Sequence, residues 1–291
     1  MPLTSTDLSL LAMLARYYVL TREQLQRLCN PGHSSGRTTR KHLAKLLAEG
    51  FIARPNMPVA LPNWTGAAPV YFPTKSGAEA LASSFQDERY LAINTRHPRG
   101  DRLAHWIAVN ETRMVIEQAI SKQKEVTLDC WINEWEPINK HDAEPEHFTL
   151  HTQLSESPAL SCSPDAAFVL SLLGFSKVYY LERDLGTSSP HQVAARKTRG
   201  YAEMARQQKH LRHFTNANVP TFSVLFVSTT PYRCTQLAKE LRRREMPELW
   251  LMVDEHELTP DSFLHSPIIH RTDGSKSSLV KPVAREAGAV T

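Results

Sequence analysis

Between Ser163 and Thr187 the chain reads SPDAAFVLSLLGFSKVYYLERDLGT: two apolar runs meet at Gly174, an Asp opens the first and a Glu closes the second. A hairpin of Asp165–Leu172 with Lys177–Asp184 brings those two ends together. Two carboxylates converging on a hard divalent cation, with a lysine beside the attacking water, are what hydrolysis with Mg2+ or Mn2+ requires. Asp165 and Glu182 meet the first requirement, and Asp184 stands two residues on, where a lysine would stabilise developing negative charge. Lys197, on the helix predicted to follow, is the first lysine after the hairpin and a candidate for that charge, with Arg183, Arg196 and Arg199 also in reach. The candidate catalytic set is therefore Asp165, Glu182, Asp184 and Lys197, with the three carboxylates as metal ligands. The alternative is that Asp184 pairs with Lys197 and locks the fold.

The elements that position these residues follow from periodicity. An amphipathic helix, RLAHWIAVNETRMVIEQAISK, precedes a strand around Val126–Glu136 and the hairpin, with Leu103, Ile107, Met114 and Ala119 facing inward. A helix from Pro190 to His213, the buried strand VPTFSVLFVST, the helix YRCTQLAKELRRR and the strand ELWLMVDEHEL complete the order. That order predicts an α/β fold, α+β overall, with a mixed sheet between helices. Trp131, Trp135, Tyr179 and Tyr180 are expected to pack on the sheet, and His105 to be a packing residue on its helix. Pro164, Asp165 and Glu182 match the PD…(D/E)xK pattern of restriction-endonuclease-like domains, which this region resembles; Asp184 departs from it.

Charge is concentrated at the other end. Within the first 54 residues Arg16, Arg22, Arg27, Arg37, Arg40, Lys41, Lys45 and Arg54 face only Asp7, Glu23 and Glu49, whereas Asp142–Leu160 is acidic and polar. A helix over Thr6–Tyr17, capped within Ser5–Asp7, and a second opened by Thr21 and Gln24 in capping-box spacing precede a third from Ser35 to Glu49. On the third, Arg37, Arg40, Lys41 and Lys45 share one stripe and Leu43, Leu46 and Leu47 another. Two short strands separated by a Pro-rich loop follow, then a helix near Ser76. The run RTTRKHLAKLLAEGFIARP…PVYFPTKSGAEAL resembles winged-helix DNA-binding domains. Arg37, Thr38, Arg40, Lys41, Lys45, Arg54 and Lys75 are accordingly the candidate contacts to double-stranded DNA; protein contact or dimerisation is the other use of such a domain.

The 291 residues, 41% apolar and 22% charged with a net charge of +4, suit two globular domains. The expected boundaries are 1–85 for the winged helix, 86–101 for a linker, 102–265 for the restriction-endonuclease-like domain and 266–291 for a flexible basic tail. Lacking an apolar run of about 18 residues and a basic segment at its start, the sequence predicts no membrane partner and a cytoplasmic location. The four cysteines are far apart and predict free thiols. Taken in order, LAHWIAVNETRMVIEQA, PDAAFVL, YYLERDLGT, KTRGYAEM and FSVLFVSTTPYRCTQLAKEL resemble the replication-relaxation family of bacterial plasmids and integrative elements. The resemblance implies that Asp184 is usual in this family, within its E-x-D-x-G-T run. It also implies a DNA-associated role in replication, mobilisation or transposition, with other proteins of the element as partners and a homodimer as one arrangement. The alternatives are a Mg2+-dependent DNA endonuclease and a transcriptional regulator.

Overall fold

The computed structural model describes residues 2–32, 35–55, 69–137, 148–215 and 219–280. The Pro-rich loop, the start of the acidic stretch and the end of the tail lie outside the described residues. Helices and a mixed sheet make the chain α/β overall, and it divides into two compact units, 1–111 and 112–291.

In the first unit α1 (Ser5–Tyr17) is followed by β1 (Leu20–Thr21), α2 (Arg22–Cys29), α3 (Arg37–Ala48), β2 (Ile52–Ala53), β3 (Val70–Pro73) and α4 (Lys75–Phe85). The cap of α1 is Thr4, just before the predicted cluster, because Asp7 closes the capping box back onto the Thr4 backbone. Thr21 and Gln24 form the box of α2 as their spacing predicts. Leu10, Leu11, Leu14, Leu25, Leu43 and Leu46 build the core, and β3 pairs antiparallel with β1 and β2. A β-carbon on Gly77 would lie 2.1 Å from the Phe51 carbonyl oxygen, so α4 and the residue preceding β2 meet backbone to backbone. Thr74 clasps the same place, its hydroxyl donating to Gly50 O at 2.6 Å and its N–H to Phe51 O at 3.2 Å. The stretch 86–101, expected as a linker, packs on this unit. The Tyr18 hydroxyl donates to Arg96 O at 3.0 Å, and Phe72 meets His97 edge-on at 5.3 Å.

The division between the units falls within α5 (Leu103–Ser121), whose predicted inward residues Leu103, Ile107, Met114 and Ala119 are buried. Next come β4 (Val126–Asn133), β5 (Thr152–Glu156), β6 (Ala159–Cys162), β7 (Ala166–Leu172), β8 (Phe175–Arg183), α6 (Pro190–Arg206), β9 (Phe222–Ser228), α7 (Pro231–Arg242), β10 (Trp250–Asp254), β11 (Ile269–Arg271) and β12 (Lys276–Ser277). The sheet order is β12-β11-β10-β9-β8-β7-β4, with β8, β9 and β10 parallel and the outer pairs antiparallel. The crossovers α6 and α7 share one core, where Tyr201, Met204, Leu237 and Leu241 surround Tyr180, Phe222, Phe226 and Trp250. Trp131, Phe168 and Tyr179 stack across β4, β7 and β8 at 5.2 Å spacings. The expected packing role of Trp131, Tyr179 and Tyr180 is thus what the sheet uses.

Two segments differ from expectation. Residues 269–277, assigned to the tail, form β11 and β12 at the sheet edge; strands this short carry too few alternating residues to be read. Within the acidic polar stretch, β5 and β6 pair as a hairpin. Among the described residues no helix is long and apolar enough to cross a membrane.

Candidate nucleic-acid interface and carboxylate cluster

On α3 the helical spacing separates burial from charge. Thr39, Leu43 and Leu46 face inward, while Arg37, Arg40 and Lys41 are exposed, and Thr38 is half-buried beside them. None of the three cations forms an ion pair with a carboxylate among the described residues. Lys45, one turn on and expected to join them, has a different role: its ammonium bonds the Asp7 carboxylate at 2.8 Å. Asp7 is fully buried and also accepts from His42 Nδ1 at 2.7 Å and from the Thr4 backbone and hydroxyl, both at 2.9 Å. Burial alone would raise its pKa, yet these bonds, Lys45 foremost, hold the carboxyl well below the usual range. Lys45 thereby has a part in the fold, bonded to Asp7, that the sequence reading did not give it. Arg54 is exposed and lies over the Tyr71 ring at 5.2 Å, and Lys75 is exposed 4.0 Å from Glu79.

In the second unit the hairpin of β7 and β8 places Asp165 beside the last residues of β8. The Asp165 carboxylate accepts the Arg183 N–H at 2.7 Å, and the Asp165 N–H donates to Leu181 O at 3.1 Å. Glu182 is 3% exposed and accepts from Lys197 Nζ at 2.8 Å on one oxygen and lies 2.7 Å from it on the other. The Tyr201 hydroxyl donates to the same carboxylate at 2.6 Å. Burial pushes Glu182 up to about 7 against the pull of Lys197, and the negative charge of Asp165 adds to the rise. Burial also works against the Lys197 ammonium, but Glu182 and Asp165 together hold its pKa above the ordinary lysine value. Asp165, Glu182 and Lys197 therefore form one electrostatic cluster, in which the lysine on the helix bonds Glu182 and senses the charge of Asp165.

Asp184 does not join it. Both its oxygens are taken by Arg233 of α7, one through Nε and the other through Nη2 at 2.8 Å, and Ser228 donates to it at 3.1 Å. The oxygen bonded by Nη2, Oδ1, also accepts the Gly186 N–H at 3.2 Å. Neither alternative raised for Asp184 describes this geometry. It is not paired with Lys197, and Asp165, Glu182 and Asp184 are not gathered within one ion's reach. With Asp184 pinned by an arginine and Glu182 capped by an ammonium, the trio does not offer the converging free oxygens that Mg2+ takes.

Two participants were not among the predicted site residues. Tyr201 lies four residues after Lys197, so the i, i+4 spacing on α6 is a signal that both reach one target. Arg233 is 49 residues from Asp184 and leaves no local sign of its partner.

The replication-relaxation family model matches residues 11–219 of this chain. No curated protein and no solved structure shows a significant match to it.

Proposed function

From the chain's membership of the replication-relaxation family, which ties it to replication or relaxation of plasmids and mobile elements, we propose that it is a DNA-binding protein of such an element. The first unit acts as a winged helix with α3 as its recognition helix. The observation that carries this reading is the face of α3, where Arg37, Arg40 and Lys41 stand exposed without carboxylate partners while Lys45 is tied inward. Cations left unneutralised along one stripe suit the phosphate backbone, and the first turns of such a helix lie in the major groove. Arg54 beyond α3 and Lys75 at the start of α4 extend the candidate contacts. The partner is double-stranded DNA, and the second unit serves as an accessory body in which Glu182 is paired with Lys197 and Asp184 with Arg233.

Electrophoretic retardation of duplex DNA from the element tests this. The Arg37→Ala/Arg40→Ala/Lys41→Ala variant is expected to bind more weakly. The slope of log affinity against log salt should shrink by roughly 2.7, at about 0.9 per lost phosphate contact. Unchanged affinity and slope would remove α3 from the interface.

A metal-dependent endonuclease is the second reading; it requires that Lys197, which bonds Glu182 at 2.7 Å, release that carboxylate when an ion binds. Nicking of supercoiled plasmid in Mg2+ or Mn2+ that disappears in both Asp165→Ala and Glu182→Ala would establish it; the accessory reading expects no nicking by the wild type.

A further inference from the structure

α6 and α7 each send one cation inward, Lys197 to Glu182 and Arg233 to Asp184. Their outer surfaces carry more. Arg196 and Arg199 are exposed three residues apart on α6, and Lys239 and Arg243 are exposed four apart on α7 and its C-cap. Tyr232, 74% exposed in the first turn of α7, lies on the stripe that continues to Lys239. The two helices pack against each other and cover the same core.

The acids of this layer hydrogen-bond other partners, while Glu203 feels the charge of Arg199, and Glu240 that of Arg243, only at longer range. Glu203 accepts from Arg206 at 3.1 Å and from Gln207 at 2.7 Å, Glu245 pairs with Arg206 at 2.6 Å, and Glu240 pairs with His191 at 3.0 Å. Arg196, Arg199, Lys239 and Arg243 have no ion pair among the described residues. Like charges at i, i+3 and i, i+4 work mildly against their own helix. A surface of this kind is stabilised when a polyanion lies along it.

We propose that the outer face of α6 and α7 is a second DNA-contact surface, gripping the sugar–phosphate backbone through Arg196, Arg199, Lys239 and Arg243 without reading sequence. It rests on the reading of the chain as a DNA-binding protein and gives the second unit a direct part in it. Contacts of this type set affinity and its salt dependence and carry no base discrimination.

Fluorescence anisotropy of the full chain on a labelled duplex of arbitrary sequence, across a salt series, tests the proposal. The Arg196→Ala/Arg199→Ala/Lys239→Ala/Arg243→Ala variant should bind roughly tenfold or more weakly, with a salt slope reduced by about 3.6, at about 0.9 per contact. All four side chains are exposed, so the urea midpoint should stay in place. If it falls, Arg196→Ala and Lys239→Ala singly should each lower the slope by about 0.9. A quadruple variant equal to wild type in affinity and slope, beside an α3 triple variant that binds weakly, overturns this surface and leaves the proposed function standing. A wild-type chain that binds no duplex overturns both. A single-stranded probe of equal length, with Tyr232→Ala, shows whether the ring stacks on an unpaired base; loss confined to the single strand would assign the surface to single strands in place of duplex.

Discussion

Each unit contains a buried carboxylate bonded to a lysine from a neighbouring helix, and the two carboxylates respond in opposite directions. Asp7 is held well below the usual range, whereas Glu182 is pushed up to about 7. The lysine contacts are nearly equal, 2.8 Å to Lys45 and 2.7 Å to Lys197. The difference lies in what else each carboxylate meets. Asp7 collects a backbone N–H, a hydroxyl and a histidine, and no acid is among the main influences on it from the described residues. Glu182 has one hydroxyl besides its lysine and shares its surroundings with Asp165. One ion pair fastens a helix start; the other holds a carboxyl near its titration point at neutral pH, a property associated with proton-handling sites as well as with structural pairs.

Breaking the second pair should have the largest effect. Lys197→Met leaves two acids buried with their cation gone and should cost about 3–5 kcal/mol at pH 8. The loss should be smaller at pH 5, where Glu182 takes up a proton; urea unfolding giving equal losses at both values would reduce Lys197 to a packing role. Asp7→Ala should cost less, about 2–3 kcal/mol, because it removes the acid that closes the capping box on Thr4 and a charge-assisted bond while Lys45 can still reach water. Asp7 titrates lower in the folded chain than in the unfolded one. Its contribution is present above the ordinary value of 3.8 and is lost as pH falls below it, so variant and wild type should converge in acid.

Tyr201→Phe should destabilise by about 1.5 kcal/mol, since it removes one hydrogen bond to a carboxylate. It should also move the Glu182 titration upward, measurable by carboxyl carbon NMR; a titration left in place would show that the hydroxyl does not sense the charge. The last effect is a slope. Glu182 keeps a proton in the folded chain that the unfolded chain releases, so it makes stability fall as pH rises between about 4.5 and about 7. Glu182→Gln should remove up to about 1.4 kcal/mol per pH unit of that fall. Urea midpoints at pH 5, 6 and 7 that keep the wild-type trend would place the proton on another group.

Much of this comparison was legible in the sequence because it rests on local spacing. The capping box of α2, the stripe on α3, the hairpin ends that join Asp165 to Glu182 and the lysine on the next helix all follow from period and register. Pairings across distant segments left no such mark. Arg233 taking Asp184, and Lys45 turning from a presumed DNA contact to Asp7, depend on which helix lies over which strand. Short strands such as β11 and β12 escaped for the opposite reason, having too few residues to display a period.

The Thr74 clasp and the close approach of Gly77 to Phe51 join the start of α4 to the chain just before β2 through backbone groups. The ends of the β2–β3 hairpin are thereby pinned independently of the residues that connect them. Doubling the length of a pinned connection costs only about 0.6 kcal/mol in closure entropy. Gly50, Phe51 and Thr74 thus hold the register of the β2–β3 stem through their own backbone groups and the Thr74 hydroxyl, whatever the length of the connection between Pro55 and Pro69.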